Sequence, residues 1–182
     1  MPKFNRQKFM ELLLYVADKS LDDPSFGATK LNKILFFSDF LAYGRTRRPI
    51  TGATYQRLER GPAPRELLPA QDELCKVGDA IVVEQRRFNY PQKRLIPLRE
   101  ADLSAFVAEE IALVDKVIDL LRAHNAASVS ALSHDIGVGW QIADDGTDIP
   151  YEAVFLSADT PTPTDVKRGR ELAQQHGWLA TL

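Results

Sequence analysis

Between Thr29 and Tyr43 the chain places apolar residues on almost every face that a helix can present. Leu31, Ile34, Leu35, Ser38, Leu41 and Ala42 form one face, and Phe36, Phe37, Phe40 and Tyr43 cover much of the rest. Only the first turns are polar, at Lys30, Asn32 and Lys33. A helix that is apolar nearly all round must be enclosed by other elements, so the later turns of this segment belong at the centre of a core. Asp39 resists that assignment, because it sits inside the Phe36-Phe37-Ser38-Asp39-Phe40 run. A carboxylate there must either point outward or be hydrogen-bonded, since an unpaired buried charge is strongly destabilising. The following loop, Ile50–Pro62, offers donors: N–H groups around Gly52 and Gly61, hydroxyls at Thr51 and Tyr55, and cations at Arg57 and Arg60. Asp39 is therefore expected to be a structural keystone that accepts bonds from that loop, not a catalytic acid.

The flanking segments supply the cover. Phe9, Leu12, Leu13 and Val16 recur at helical spacing between Phe4 and Asp18, with Asn5 placed to cap that helix. Ser20–Gly27 reads as a loop, and Gly44–Pro64 is broken by Gly44, Pro49, Gly52, Gly61, Pro62 and Pro64. A stretch of about 20 residues without elements of its own is often functional. Glu66–Val77 reads as a third helix ended by Gly78, with Pro69 near its first turn. Ala80–Gln85 and Leu95–Leu98 predict a β-hairpin whose basic tip carries Arg86, Arg87, Lys93 and Arg94. A long helix is expected over Ala101–His124, with Val107, Ile111, Val114, Ile118 and Leu121 as its seam. A short helix at Ser128–Ser133, turns over Gly137–Thr147 and a short apolar piece at Tyr151–Leu156 follow. The last helix is expected over Pro163–His176, capped by Thr162 and ended by Gly177. At 182 residues this is one domain's worth of chain. The expected fold class is mainly α with a small β-hairpin (α+β): a single compact helical domain over residues 1–182, with helix 163–176 packing on it.

Several chemistries have no foothold. Cys75 is the single cysteine, which excludes a disulfide framework and multi-cysteine zinc sites. Neither a Gly-x4-Gly-Lys-Ser/Thr phosphate loop nor a His-Glu-x-x-His helix is present. Gly137-Val138-Gly139 lacks a preceding strand and a third glycine. Ser133-His134-Asp135 has the residue types of a hydrolase triad, but consecutive residues cannot set one side chain between the other two. His124, His134 and His176 are far apart and each follows or ends a helical segment, where helix C-termini favour them. No catalytic residue, metal or cofactor is expected. The start, Met1 to Arg6, leads into a charged helix and not into a signal peptide, and no apolar run is long enough to span a membrane. A cytoplasmic location follows as the expectation.

Charge is unevenly spread. Residues 1–99 hold 18 Lys and Arg against 11 Asp and Glu, whereas residues 100–182 hold 5 against 14. The acidic half is expected to match the basic half across one fold. A helix followed by a basic hairpin resembles a winged-helix DNA binder in outline, but Glu66, Asp72 and Glu73 on the third helix would repel phosphate. Nucleic-acid binding by the hairpin with Arg45, Arg47 and Arg48 is thus the alternative to a protein-binding surface. For the latter, the candidates are Lys30, Lys33, Arg47, Arg48 and Arg57, expected to be exposed beside the second helix, with Tyr55 as an aromatic anchor.

Four stretches together resemble a known family. Phe26-Gly27-Ala28-Thr29-Lys30-Leu31-Asn32-Lys33-Ile34-Leu35-Phe36-Phe37-Ser38-Asp39-Phe40 is similar to the Gly-x-Thr-Lys-Leu-x-Lys-Leu-Leu-Tyr-Phe-x-Asp helix of the Panacea, or SocA-like antitoxin, domain. Pro49-Ile50-Thr51-Gly52, Tyr55 and Gly61-Pro62 resemble its loop, with Ala63 where many members have valine. Gly139-Trp140, Gly146 and Ile149-Pro150-Tyr151-Glu152 resemble its C-terminal signature, and the helix at Phe4–Asp18 is a weaker match. The resemblance spans about residues 4–156. It implies structural roles for Asp39, Gly52, Gly61, Pro62, Trp140 and Tyr151. It also implies a bacterial or phage-borne antitoxin of a type II pair that neutralises a cognate toxin by direct binding. One branch of the family delivers its toxin to a protease as an adaptor, so a protease or its adaptor is a further expected partner.

Overall fold

The computed structural model describes residues 2–87, 90–136, 138–156 and 159–175. Seven α-helices and two antiparallel two-stranded sheets make up the described residues, an α+β fold in which helices dominate. The order is α1 (Arg6–Lys19), α2 (Ala28–Thr46), β1 (Tyr55–Gln56), β2 (Ala63–Pro64), α3 (Leu67–Val77), β3 (Ala80–Arg87), β4 (Tyr90–Pro97), α4 (Ala108–Arg122), α5 (Ala126–Ile136), α6 (Val138–Ile142), a 3-10 helix (Tyr151–Phe155) and α7 (Pro163–Gln175). The aromatic run puts α2 where its composition demands. It packs against α1, α4, α5, β2, β4 and the 3-10 helix, and Leu31, Ile34, Leu35, Phe36 and Phe40 are buried. Asn5 caps α1 by accepting from the Lys8 N–H at 3.0 Å, and Gly78 ends α3 in the left-handed conformation at φ 82°. Ion pairs Lys8–Glu110, Arg57–Asp145 and Arg65–Asp148 join the basic half of the chain to its acidic half.

Several boundaries differ from the sequence expectation. Helix α2 passes through Gly44 and ends at Arg47, which takes the left-handed position at φ 60° and donates its N–H to Tyr43 at 2.8 Å. Gly44 faces the 3-10 helix instead: a β-carbon there would lie 3.4 Å from a Val154 methyl. Leu41, expected on the buried face, is exposed. Residues 101–107 are not helical, because side chains take the bonds a helix would make. Asp102 accepts from the Ser104 N–H and Glu11 accepts from the Asp102 N–H, while the N–H of exposed Val107 donates to Glu110. The long loop does contain elements, since β1 pairs with β2 in the register Tyr55↔Pro64.

The hairpin is longer than expected, so Arg86, Lys93 and Arg94 lie within its strands. The side chains of Arg87 and Tyr90 lie outside the described residues, as does Asn89. Helix α6 occupies part of the expected turn region. Helix α7 buries none of its described residues, although the sequence reading packs it on the domain; His176 and Gly177 lie outside the described residues.

Candidate functional site

The carboxylate of Asp39 is fully buried and is approached by two separate segments of chain, the loop at Thr51–Tyr55 and the 3-10 helix at Tyr151. Oδ1 accepts from the Thr51 N–H at 2.8 Å. Oδ2 accepts from the Thr51 hydroxyl at 2.5 Å and the Tyr55 hydroxyl at 2.9 Å. The Tyr151 hydroxyl stands 3.4 Å from Oδ2, but its single proton is better placed on the Ala53 carbonyl at 2.7 Å. Every donor is neutral: Arg57 and Arg60, weighed as partners, lie elsewhere. Burial pushes the Asp39 pKa up, against the lowering effect of the Thr51 and Tyr55 hydrogen bonds. Burial, then the neighbouring Asp39 charge, raises Tyr55 and Tyr151 in turn.

Gly52 is required beside this cluster. Its φ is +72°, and a β-carbon would come within 2.6 Å of the Lys3 carbonyl oxygen, where the chain preceding α1 crosses and Asn5 donates to the Thr51 carbonyl. The arrangement fixes the loop to α2 and leaves Asp39 closed to any substrate.

Three of the residues expected to be exposed are enclosed: Lys30, Lys33 and Tyr55 are each about 1% exposed. The central position of α2 covers even its first turns. Lys30 donates to Asp23 at 2.5 Å and to the Arg122 carbonyl at 3.2 Å. Lys33 has a thinner environment, in which Nζ donates to the Pro62 carbonyl at 3.0 Å and burial lowers its pKa to about 7. Gly61, at φ +95°, lies against it; a β-carbon there would meet Lys33 Nζ at 2.8 Å and Ser133 Oγ at 2.6 Å. Tyr55 spends its hydroxyl on Asp39 and its ring on Phe36 and Phe40.

Arg57 is half-buried and engaged. It donates through Nε to the Trp140 carbonyl at 3.0 Å, lies over the Trp140 ring at 4.6 Å and pairs with Asp145. Trp140 Nε1 donates back to the Leu58 carbonyl at 3.0 Å. The segments carrying Trp140 and Tyr151 are thereby knitted to the loop, as the Ile149 N–H to Tyr55 carbonyl bond at 2.7 Å also shows. Gly139 allows α6 to approach the 3-10 helix, because a β-carbon there would stand 2.4 Å from that of Ala153.

Arg47 and Arg48 are exposed and line an open cleft of about 520 Å³ together with Lys3, Lys8, Tyr43 and Glu152. The Arg47 guanidinium lies 3.6 Å over the Phe155 ring. Glu152 is held by the Tyr43 hydroxyl at 2.6 Å, a bond that lowers its pKa, and Lys8 is paired with Glu110. Lys3 and Arg48 form no ion pair among the described residues, so the cleft presents uncompensated positive charge. The sequence carried this signal in the Arg45, Arg47, Arg48 cluster, but Lys3 joins it only in three dimensions.

Of the tempting triad, Ser133 is buried and donates to the Ser130 carbonyl at 2.7 Å. The side chains of His134 and Asp135, and Gly137, lie outside the described residues. Among the described residues no group of three His, Cys, Asp or Glu side chains is placed to hold a metal, and no helix is long and apolar enough to cross a membrane.

No curated protein and no solved structure matches this chain. The family model for the SocA-like antitoxin, Panacea domain, matches residues 31–141, a shorter span than the resemblance read from the sequence. It runs from the enclosed turns of α2, through the loop that Asp39 holds, to the α6 segment whose Trp140 clamps Arg57. A match over more than half of the chain shows that this protein belongs to the SocA-like antitoxin, Panacea-domain family.

Proposed function

We propose that this protein is an antitoxin that neutralises a cognate toxin, encoded beside it, by direct protein–protein contact. Family membership supports a toxin partner in general terms. The observation that carries the contact surface is the positive cleft at the C-terminal end of α2. Arg47 and Arg48 leave that helix beside Ile50 and Thr51, and Thr51 is pinned by Asp39. The two guanidinium groups are thus presented on a wall that is already ordered, which keeps the ordering cost of binding small. Positive charge steers and orients an acidic partner surface. Lys30, Lys33 and Tyr55 leave the contact surface because they are buried, and Arg57 contributes only the side not occupied by Trp140 and Asp145. We read the protein as non-enzymatic: Asp39 is enclosed and Ser133 is committed to a backbone carbonyl. The nucleic-acid alternative loses one of its four hairpin cations, because Arg94 donates to the Ser20 and Leu21 carbonyls.

The test is co-expression with the neighbouring reading frame. A frame that is toxic alone and tolerated with this chain supports the reading. Arg47→Glu combined with Arg48→Glu should abolish protection and co-purification while lowering the melting temperature only slightly, through loss of the Arg47–Phe155 contact; full protection by that variant removes the cleft from the contact surface. Toxin levels in the same cells read the adaptor route, since loss of the toxin polypeptide indicates delivery to a protease and a stable complex indicates occlusion.

A further inference from the structure

The β3–β4 hairpin has an outer edge that no other strand covers among the described residues. Antiparallel pairing alternates hydrogen-bonded and non-hydrogen-bonded pairs. The Leu98 N–H donates to the Asp79 carbonyl at 2.8 Å, so with the register Ile81↔Ile96 and Val83↔Arg94 the odd residues of β3 face β4. Pro97 and Pro91 agree with this phase: they stand opposite Ala80 and Arg86, positions at which β4 needs no N–H. The N–H and C=O groups of Val82, Glu84 and Arg86 therefore point away from β4, and no bond from another described element reaches them. Ile81, Val82 and Val83 are 38–45% exposed, three adjacent β-branched residues on an open strand. Edges of this kind recruit further strands unless they are blocked.

We infer that β3 pairs edge to edge with β3 of a second copy, in the antiparallel register that places Glu84 opposite Arg86 of the partner subunit. The charges select both occupant and register. Glu84 and Arg86 form no ion pair among the described residues, and both are exposed. A two-fold axis through Gln85 sets each Glu84 against an Arg86 and does so twice. The same axis joins the outward backbone groups of Glu84 and Arg86 to their counterparts in matched hydrogen-bonded pairs. Sliding the register by two residues would set Glu84 against Glu84, and like charges directly opposite are unfavourable. The result is one continuous four-stranded antiparallel sheet across the two copies. This surface is separate from the cleft at Arg47 and Arg48.

Sedimentation velocity on the full chain, from micromolar to near-millimolar concentration, tests the inference. A monomer–dimer equilibrium is expected. Glu84→Lys and Arg86→Glu should each weaken it about tenfold by creating two like-charge pairs, and the double variant Glu84→Lys/Arg86→Glu should restore it. Glu84 also stands opposite Lys93 within the hairpin, so a single variant can lose hairpin order; recovery in the double variant separates pairing from misfolding. Amide exchange at Glu84 and Arg86 should slow only in the dimer. A monomer at every concentration overturns the inference. So does a dimer that ignores the charge swaps, or one that leaves those two amides exchanging as in the monomer.

Discussion

The two halves of α2 bury charge in different ways. In the C-terminal half, Asp39 is surrounded by the Thr51 N–H and the hydroxyls of Thr51 and Tyr55, all neutral groups aimed at its two oxygens. In the N-terminal half, Lys30 is paired with Asp23, whereas Lys33, one turn further along, donates among the described residues to the Pro62 carbonyl alone. All three residues are almost completely enclosed. What separates them is the number and kind of partners, and that number sets how each responds to substitution and to pH.

The largest expected effect lies at Lys30. Lys30→Met leaves Asp23 enclosed without its cation and should lower stability by about 3 kcal/mol, read from chemical denaturation. Lys33→Met removes a group with one acceptor and should be neutral or stabilising. Equal losses at both positions would break the distinction between them. Asp39→Ala comes next, at about 2 kcal/mol, because the donors of Thr51 and Tyr55 are left unsatisfied. It should also make residues 50–64 easier to cut in limited proteolysis. Asp39→Asn should cost less, since the donors are neutral and burial already favours the uncharged acid. An Asn variant as damaged as the Ala variant would show that the negative charge itself is needed.

The pH dependence sharpens the contrast. With the folded pKa of Lys33 lowered from 10.5 to about 7, the folded chain binds its proton more weakly than the unfolded chain does. This contribution to stability is present in full above about pH 10.5, falls by roughly 1 kcal/mol per pH unit as pH drops toward 7, and is flat below that. Lys33→Met should remove that slope from denaturation curves measured between pH 7 and 10. An unchanged slope would place the titration on another group. The smallest effect is expected at Arg57. Arg57→Ala loses a partly exposed pair and a ring contact, about 0.5–1 kcal/mol, with a matching small fall in melting temperature.

Much of this was legible in the sequence where a local rule sufficed. The aromatic run located α2 in the core, Asn5 and Gly78 marked helix ends, and Asp39 stood out because a lone carboxylate in that run demands partners. The lysines were not legible. Their residue type argues for solvent, and their partners arrive from the loop at Asp23, from Pro62 and from the carbonyl of Arg122, contacts that no spacing encodes. Residues 101–107 misled for a related reason: Val107 keeps the spacing of the seam at Ile111, Val114, Ile118 and Leu121, but Asp102 and Glu110 capture the backbone N–H groups first. Strands β1 and β2 have two residues each, too few for any alternation to show. The positive cleft was half legible, as Arg47 and Arg48 are adjacent while Lys3 comes from the chain that precedes α1.

Tyr151 reaches the Asp39 pocket from 112 residues further along the chain. A ribosome must therefore deliver most of the polypeptide before that pocket can close. Until then Phe40 and Tyr43, whose rings pack on Tyr151, lack one of their walls and stay partly open to water. Long-range closure of this kind is slow, and it leaves apolar surface available to other chains meanwhile. Translation speed and chaperone supply should accordingly govern how much active protein a cell obtains. A nascent chain stalled before Tyr151 would be a target for degradation and not a working fragment.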